Sequence, residues 1–225
     1  RDAPPVVCLH GNPTWSFYWR YLVGELRRDH RVIVPDHLGC GLSEKPQSGF
    51  RYRLKDHIGN LRRLLEHLRL PPAVFVLHDW GGAIGMGLAT HDPDSARGFV
   101  VTNTAAFRSK RIPWSIASAK IPGFGALAVR GLNGFALAAT VRATARGLSP
   151  EVKRGLLFPY DSWQSRVATL RFVEDIPMRP GHPSWETLVA IESGLERLRA
   201  HPMLLLWGEA DFCFGPPFRE EWQAR

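Results

Sequence analysis

The 225-residue chain is 44% hydrophobic and 11% aromatic, enough to bury one substantial core, and it contains no low-complexity tract. Its formal charge of +8 draws on arginines spread along the chain (Arg27, Arg28, Arg62, Arg63, Arg142, Arg146, Arg197 and Arg199 among them) with no stacking-aromatic motif beside them, a pattern that points away from nucleic acid. Three widely separated cysteines, Cys8, Cys40 and Cys213, exclude a disulfide framework, offer no zinc-ligand spacing, and fit a reducing, cytoplasmic compartment.

In chain order, VVCLH (6–10) is an apolar run bounded by Pro and Gly and predicts a strand, with Cys8 a small core residue. WSFYWRYLVGELRRD (15–29) has helical periodicity, RVIVPD (31–36) predicts a second strand, and LKDHIGNLRRLLEHL (54–68) a helix. AVFVLH (73–78) is a third strand, followed by a helix from Trp80 to about residue 90, and RGFVVTN (97–103) is a fourth strand. ETLVAIESGLERLRA (186–200) predicts a helix and MLLLWG (203–208) a fifth strand. Continuous apolar strands alternating with helices imply an α/β fold with a parallel sheet covered on both faces.

Residues 108–183 break that rhythm, with helical pieces in GALAVRGLNGFALAATVRA and SWQSRVATLRFVEDI. They predict a helical insertion that divides a core of 1–107 and 184–225. The apolar stretch from Ile112 to Val141 is interrupted by Lys120, Arg130 and several Gly and Pro, so it makes no transmembrane segment, and no signal peptide is visible.

In an open α/β sheet, chemistry gathers at the carboxyl ends of the strands. VFVLHDWGG (74–82) places Asp79 at such an end, in the frame of a nucleophile elbow with Asp where Ser stands in G-x-S-x-G. Read alone, the frame is equally that of a helix N-cap. An ionised aspartate needs no base to attack carbon, but something must hold the charge that develops on the departing group. HGNPTW (10–15) supplies Asn12 with its amide donors, and Trp80 adds an indole N–H. A turn role for Asn12 and simple packing for Trp80 are the plainer alternatives. PDHLGCGLSEKP (35–46) lacks the third glycine of a dinucleotide loop and the Lys-Ser/Thr of a phosphate loop, and reads as a glycine turn. In LLLWGEADFCF (204–214) Asp211 follows a strand end, where a carboxylate can orient a catalytic histidine, and Glu209 is its rival.

Taken together, HGNPTW, DHLGCGLSEKP, HDWGG and WGEAD resemble the haloalkane dehalogenase branch of the α/β-hydrolase superfamily, over essentially the whole chain. The resemblance implies that Asp79 is the nucleophile, that Asn12 and Trp80 stabilise the leaving group, and that Asp211 is the triad acid. A subgroup carries that acid after the strand preceding the cap, where VVTNTAAF (100–107) has no carboxylate. GCGLS, NTAAF and PYDSWQSRVATLRFVEDIP (159–177) are similar to the β-lactone decarboxylases of bacterial long-chain olefin biosynthesis within this branch.

That similarity implies conversion of cis-3,4-dialkyl-β-lactones to cis-alkenes and carbon dioxide. It also implies a small apolar substrate with long alkyl chains, action beside a β-lactone synthetase and other olefin-pathway enzymes, and no metal or organic cofactor. Haloalkane dehalogenase chemistry is the nearest alternative. Epoxide hydrolases use two cap tyrosines, and the insertion holds only Tyr160. Ile112, Trp114, Phe124, Leu127, Phe135 and Leu137 are candidates to cover alkyl chains.

The family pattern also expects a histidine after the acid and two strands before HGNPTW. His78, His182 and His201 are poorly placed to substitute, so the sequence reads as truncated at both ends, and a catalytically incomplete binding subunit is a further alternative.

Overall fold

The computed structural model describes residues 3–225. β1 (Val6–Leu9) is followed by a 3₁₀ turn (Ser16–Trp19), α1 (Arg20–Leu26) and the short β2 (Val32–Ile33). α2 (Leu54–His67), β3 (Ala73–His78), α3 (Trp80–His91) and β4 (Ala96–Thr102) complete the first half. Then come α4 (Trp114–Ala119), a π-helical turn (Ala126–Gly131), α5 (Gly134–Arg142), α6 (Pro150–Leu157) and α7 (Val167–Glu174). α8 (Trp185–Gly194), β5 (Met203–Leu206) and α9 (Pro216–Ala224) return to the core.

The described strands form one parallel sheet in the order β2-β1-β3-β4-β5. All four residues of β1 and most of β3 are buried, which explains why those strands read as unbroken apolar runs. Leu9, Leu77 and Ile84 have no exposed surface, and each such side chain contributes about 1.5–3 kcal/mol by leaving water. α3 lies directly on this sheet, and Gly81 permits it: a Cβ there would overlap the Leu9 carbonyl. The registers Leu9–Leu77 and His78–Thr102 bring the ends of β1, β3 and β4 out side by side.

Several predicted elements are shorter than the sequence suggests. The strand expected over 31–36 keeps two paired residues, because the Asp36 carboxylate instead accepts the N–H groups of Ser16 (2.6 Å) and Leu42 (2.8 Å) and turns the chain. The helix expected over 15–29 begins as a 3₁₀ turn, and that over 186–200 ends its α part at Gly194. The strand expected to reach residue 208 stops at Leu206, since Gly208 N–H is drawn to Asn103 Oδ1 at 2.8 Å. Within residues 108–183, the run 125–143 is two helical pieces broken at Asn133, which adopts φ 53°.

Candidate active site

β3 delivers Asp79 in a conformation few non-glycine residues adopt, φ 50° and ψ −126°. Such a backbone costs about 1–3 kcal/mol and persists only where its surroundings hold it. Here Asp79 N–H donates to the Asn103 carbonyl (3.2 Å), and its own carbonyl accepts from Gly82 N–H (2.9 Å) and Thr104 Oγ1 (2.5 Å). The strain turns the side chain away from the helix it precedes. No cap hydrogen bond is made by Asp79, so its role is not that of an ordinary helix N-cap.

The carboxylate meets the end of β1. Oδ1 accepts Asn12 N–H at 2.7 Å, and the Trp80 backbone N–H adds to the stabilisation of the carboxylate charge. A Cβ on Gly11 would overlap the Asp79 side chain, so glycine there admits the nucleophile. In a serine hydrolase, backbone donors at these two places hold an oxyanion. Here they face the attacking group itself. Burial pushes the Asp79 carboxyl up to about 6, with the nearby negative charge of Asp211 adding to the rise and the two N–H donors opposing it.

Above Asp79 lies a cavity of about 640 Å³, between the carboxyl ends of the strands and residues 109–178. Asn12, Asp79, Trp80 and Asp211 all line it, so the four residues singled out in the sequence converge. Asn12 Nδ2 donates one hydrogen to the Thr169 carbonyl on α7 (3.0 Å), which leaves one amide hydrogen for a ligand. Its Oδ1 is buried with no hydrogen-bond partner among the described residues. The Trp80 indole packs on Phe172 with ring centres 5.0 Å apart, and its N–H has no partner among the described residues.

Asp211 Oδ1 accepts the N–H groups of Cys213 (2.7 Å) and Phe214 (2.9 Å), which fixes the carboxylate at the loop apex. Its rival Glu209 is a 57% exposed side chain paired with Arg219 at 2.9 Å. Sequence reasoning missed Asn103, whose amide bonds Gly208 N–H (2.8 Å), the Gly208 carbonyl (3.0 Å) and the Phe214 carbonyl (3.3 Å). Asn103 thereby ties the end of β4 to the loop that carries Asp211. The one available signal was the carboxylate-free strand end VVTN (100–103).

Tyr18 was missed as well. It lines the cavity and stacks on His78 with ring centres 4.6 Å apart, but in the sequence it is one more aromatic in a helical-looking run. Burial and the Asp211 and Asp79 charges push its hydroxyl up to about 12.

Burial also holds His78 neutral, down to about 4. His182 Nε2 is bonded to the Glu174 carbonyl (3.2 Å) and His201 Nε2 to the Pro93 carbonyl (3.1 Å). Of the six apolar residues expected to cover alkyl chains, Ile112, Phe124 and Phe135 line the cavity. Trp114, Leu127 and Leu137 instead point to solvent, because the helical pieces that carry them lie on the outer surface.

The alpha/beta hydrolase fold family matches residues 4–224. The chain belongs to the α/β-hydrolase fold family. Among its curated relatives, this α/β-hydrolase is 40% identical to the cis-3-alkyl-4-alkyloxetan-2-one decarboxylase of Shewanella oneidensis, over 99% of this chain and 72% of that protein. It is 38% identical to the enzyme of the same name from Xanthomonas campestris pv. campestris, over 96% of this chain and 76% of that protein. Haloalkane dehalogenase 2 of Mycobacterium tuberculosis is more distant, at 31% identity over 95% and 73%. A solved haloalkane dehalogenase from Agrobacterium tumefaciens superposes with a TM-score of 0.84 at 27% identity, covering 100% of this chain and 78% of that one. Among the described residues, no helix of the α/β-hydrolase is long and apolar enough to cross a membrane.

Proposed function

We propose that this α/β-hydrolase is a lyase that converts cis-3,4-dialkyl-β-lactones (oxetan-2-ones) to cis-alkenes and carbon dioxide, with Asp79 as nucleophile. The observation that carries the reading is the division of donors at Asp79. Asn12 N–H and Trp80 N–H hold the nucleophile, while the Trp80 indole N–H and the second Asn12 amide hydrogen remain for a leaving group. The names of the relatives at 38–40% identity support the lactone as the electrophile.

A carboxylate oxygen of Asp79 attacks ring carbon 4, the bond from that carbon to the ring oxygen breaks, and a carboxylate is left on carbon 3. Asn12 and Trp80 hold that carboxylate as it forms. The carbon 2–carbon 3 pair then becomes the alkene π bond, carbon dioxide departs, and the ester bond to Asp79 breaks to restore the carboxylate. Every atom and electron is accounted for without a proton or a water molecule. Inversion at carbon 4 followed by anti departure keeps the alkyl groups cis. Attack on the carbonyl instead leaves an oxygen on carbon 4 that has to leave as hydroxide, which is why carbon 4 is the preferred centre.

Residues 108–183 act on this reading as a cap over the core of 1–107 and 184–225. The three cysteines are unpaired, which suits the cytoplasm, and the lactone is supplied by a β-lactone synthetase. No cofactor enters the scheme. Asp211 has the place of a triad acid and, by its charge, keeps Asp79 basic.

Haloalkane dehalogenation is the second reading, favoured by the match to solved dehalogenases, and it requires water to cleave the ester. Epoxide opening is disfavoured because the cap tyrosine, Tyr160, is buried and donates its hydroxyl to the Thr14 carbonyl (3.2 Å). Turnover in H₂¹⁸O separates the two leading readings. A dialkyl β-lactone should yield alkene with no ¹⁸O in the Asp79 peptide, whereas a bromoalkane that turns over hydrolytically labels it. Halide release with no alkene from the lactone would overturn the proposal, and no turnover of either substrate would leave a binding subunit as the better description.

A further inference from the structure

The charge of the chain is concentrated in one region. Residues 108–183 hold 12 of the 29 Lys and Arg but only 4 of the 21 Asp and Glu, so this segment carries +8 while the other 17 basic and 17 acidic residues cancel. Three of its four acids are already paired: Glu151 with Arg154, Glu174 with Arg171, and Asp175 with Arg53 of α2's N-cap. The same segment exposes large apolar side chains, with Trp114 at 83% and Phe158 at 70%. On α5, Leu137 and Val141 stand one turn apart facing solvent while Ala136 and Thr140 face inward, and Arg142 and Arg146 follow directly.

The cavity opens toward this region. Phe124 and Phe212 both line it and are 55% and 43% exposed, so they stand at its mouth. The Arg142 guanidinium lies 5.3 Å over the Phe212 ring. A basic group and exposed aromatics therefore stand together at the opening through which a ligand reaches Asp79.

We propose that residues 108–183 dock the protein on the surface of an anionic lipid bilayer, with the cavity mouth facing the lipid. An anionic leaflet strengthens binding about five-fold for each Lys or Arg held near it, and exposed Trp, Phe and Leu gain by entering the boundary between headgroups and acyl chains. The aliphatic members decide between partners. Leu132, Leu137 and Val141 are exposed beside the basic residues, and a phosphate backbone offers such side chains nothing, whereas acyl chains do. The docking is independent of which electrophile Asp79 attacks, and it gives a water-insoluble substrate a route from the bilayer to the cavity.

The test is co-sedimentation of the protein with vesicles of phosphatidylcholine alone and with 30% phosphatidylglycerol, at low and high salt. The expected result is binding to the phosphatidylglycerol vesicles that falls at least ten-fold at high salt. Arg146→Glu with Lys153→Glu should weaken it by more than ten-fold, and Leu137→Ser with Val141→Ser by several-fold. None of these four residues lines the cavity, so turnover of a short, water-soluble substrate should stay unchanged and report intact folding. Equal binding to both vesicle types, binding untouched by either double substitution, or tighter binding to duplex DNA than to phosphatidylglycerol would each overturn the proposal.

Discussion

The end of β3 and the outer face of α4–α7 obey opposite rules. At Asp79, strain, close glycine contacts and the Asn12 donor fix one carboxylate against the end of β1. Across residues 108–183, side chains that ordinarily pack inward face solvent, and cations outnumber anions three to one. One region is organised around a single atom, the other around a surface. A residue's contribution to chemistry and its contribution to stability are therefore expected to separate most sharply at the first, and to be weakest at the second.

The largest expected effect tests that separation directly. Asp79→Asn should reduce alkene formation and covalent adduct, read by gas chromatography and intact mass, to background. The same change should stabilise the fold. With the carboxyl raised from 3.8 to about 6, the native state holds a proton that the unfolded chain has already released between those values. Stability therefore falls as pH rises through that window, and the full penalty, about 2 kcal/mol after allowance for contact with the open cavity, persists above it. Urea denaturation should show Asp79→Asn more stable than the parent at pH 8 and no such gain at pH 3.5. Equal stability at both pH values would mean that Asp79 is not held against its own ionisation. The covalent step should likewise slow below pH about 6, as the nucleophile is protonated.

Next in size is Trp80→Phe, which keeps the packing against Phe172 and removes one N–H. Loss of a single leaving-group donor costs about 10²-fold in turnover. A change of less than three-fold in single-turnover alkene release would return Trp80 to a packing role. Asn103→Ala comes third. It removes three hydrogen bonds beneath the Asp211 loop, and thermal unfolding should show a loss of about 1–3 kcal/mol together with slower turnover. Glu209→Gln is the smallest, below about 1 kcal/mol with unchanged rate, because the Glu209 side chain is itself 57% exposed. If Glu209→Gln slows the reaction more than Asp211→Asn, the two acids must exchange roles.

What was legible in the sequence was what a short local pattern dictates. The buried strand over 73–78 appears at its predicted bounds, since an apolar run ending in a glycine turn leaves the backbone little choice. Asn12, Asp79, Trp80 and Asp211 were visible because each stands at a strand end within a short motif, and the sheet register brings those ends together. Asn103 and Tyr18 were hidden because their significance depends on partners about 60 to 110 positions away, Gly208 and Phe214 for one and His78 for the other. The division of 112–137 into cavity-lining and outward apolar residues was equally hidden, because the π-helical turn and the break at Asn133 reset the helical phase.

The hydrogen bond from Asn12 Nδ2 to the Thr169 carbonyl joins the two regions. It connects the loop after β1 to α7, so the orientation of a leaving-group donor and the seating of α7 are one mechanical variable. A shift of α7 by an ångström takes a 3.0 Å contact out of hydrogen-bonding range and frees the amide to rotate. The donor is therefore aimed only while the roof is in place, and the site reads its own closure before it can hold a departing carboxylate.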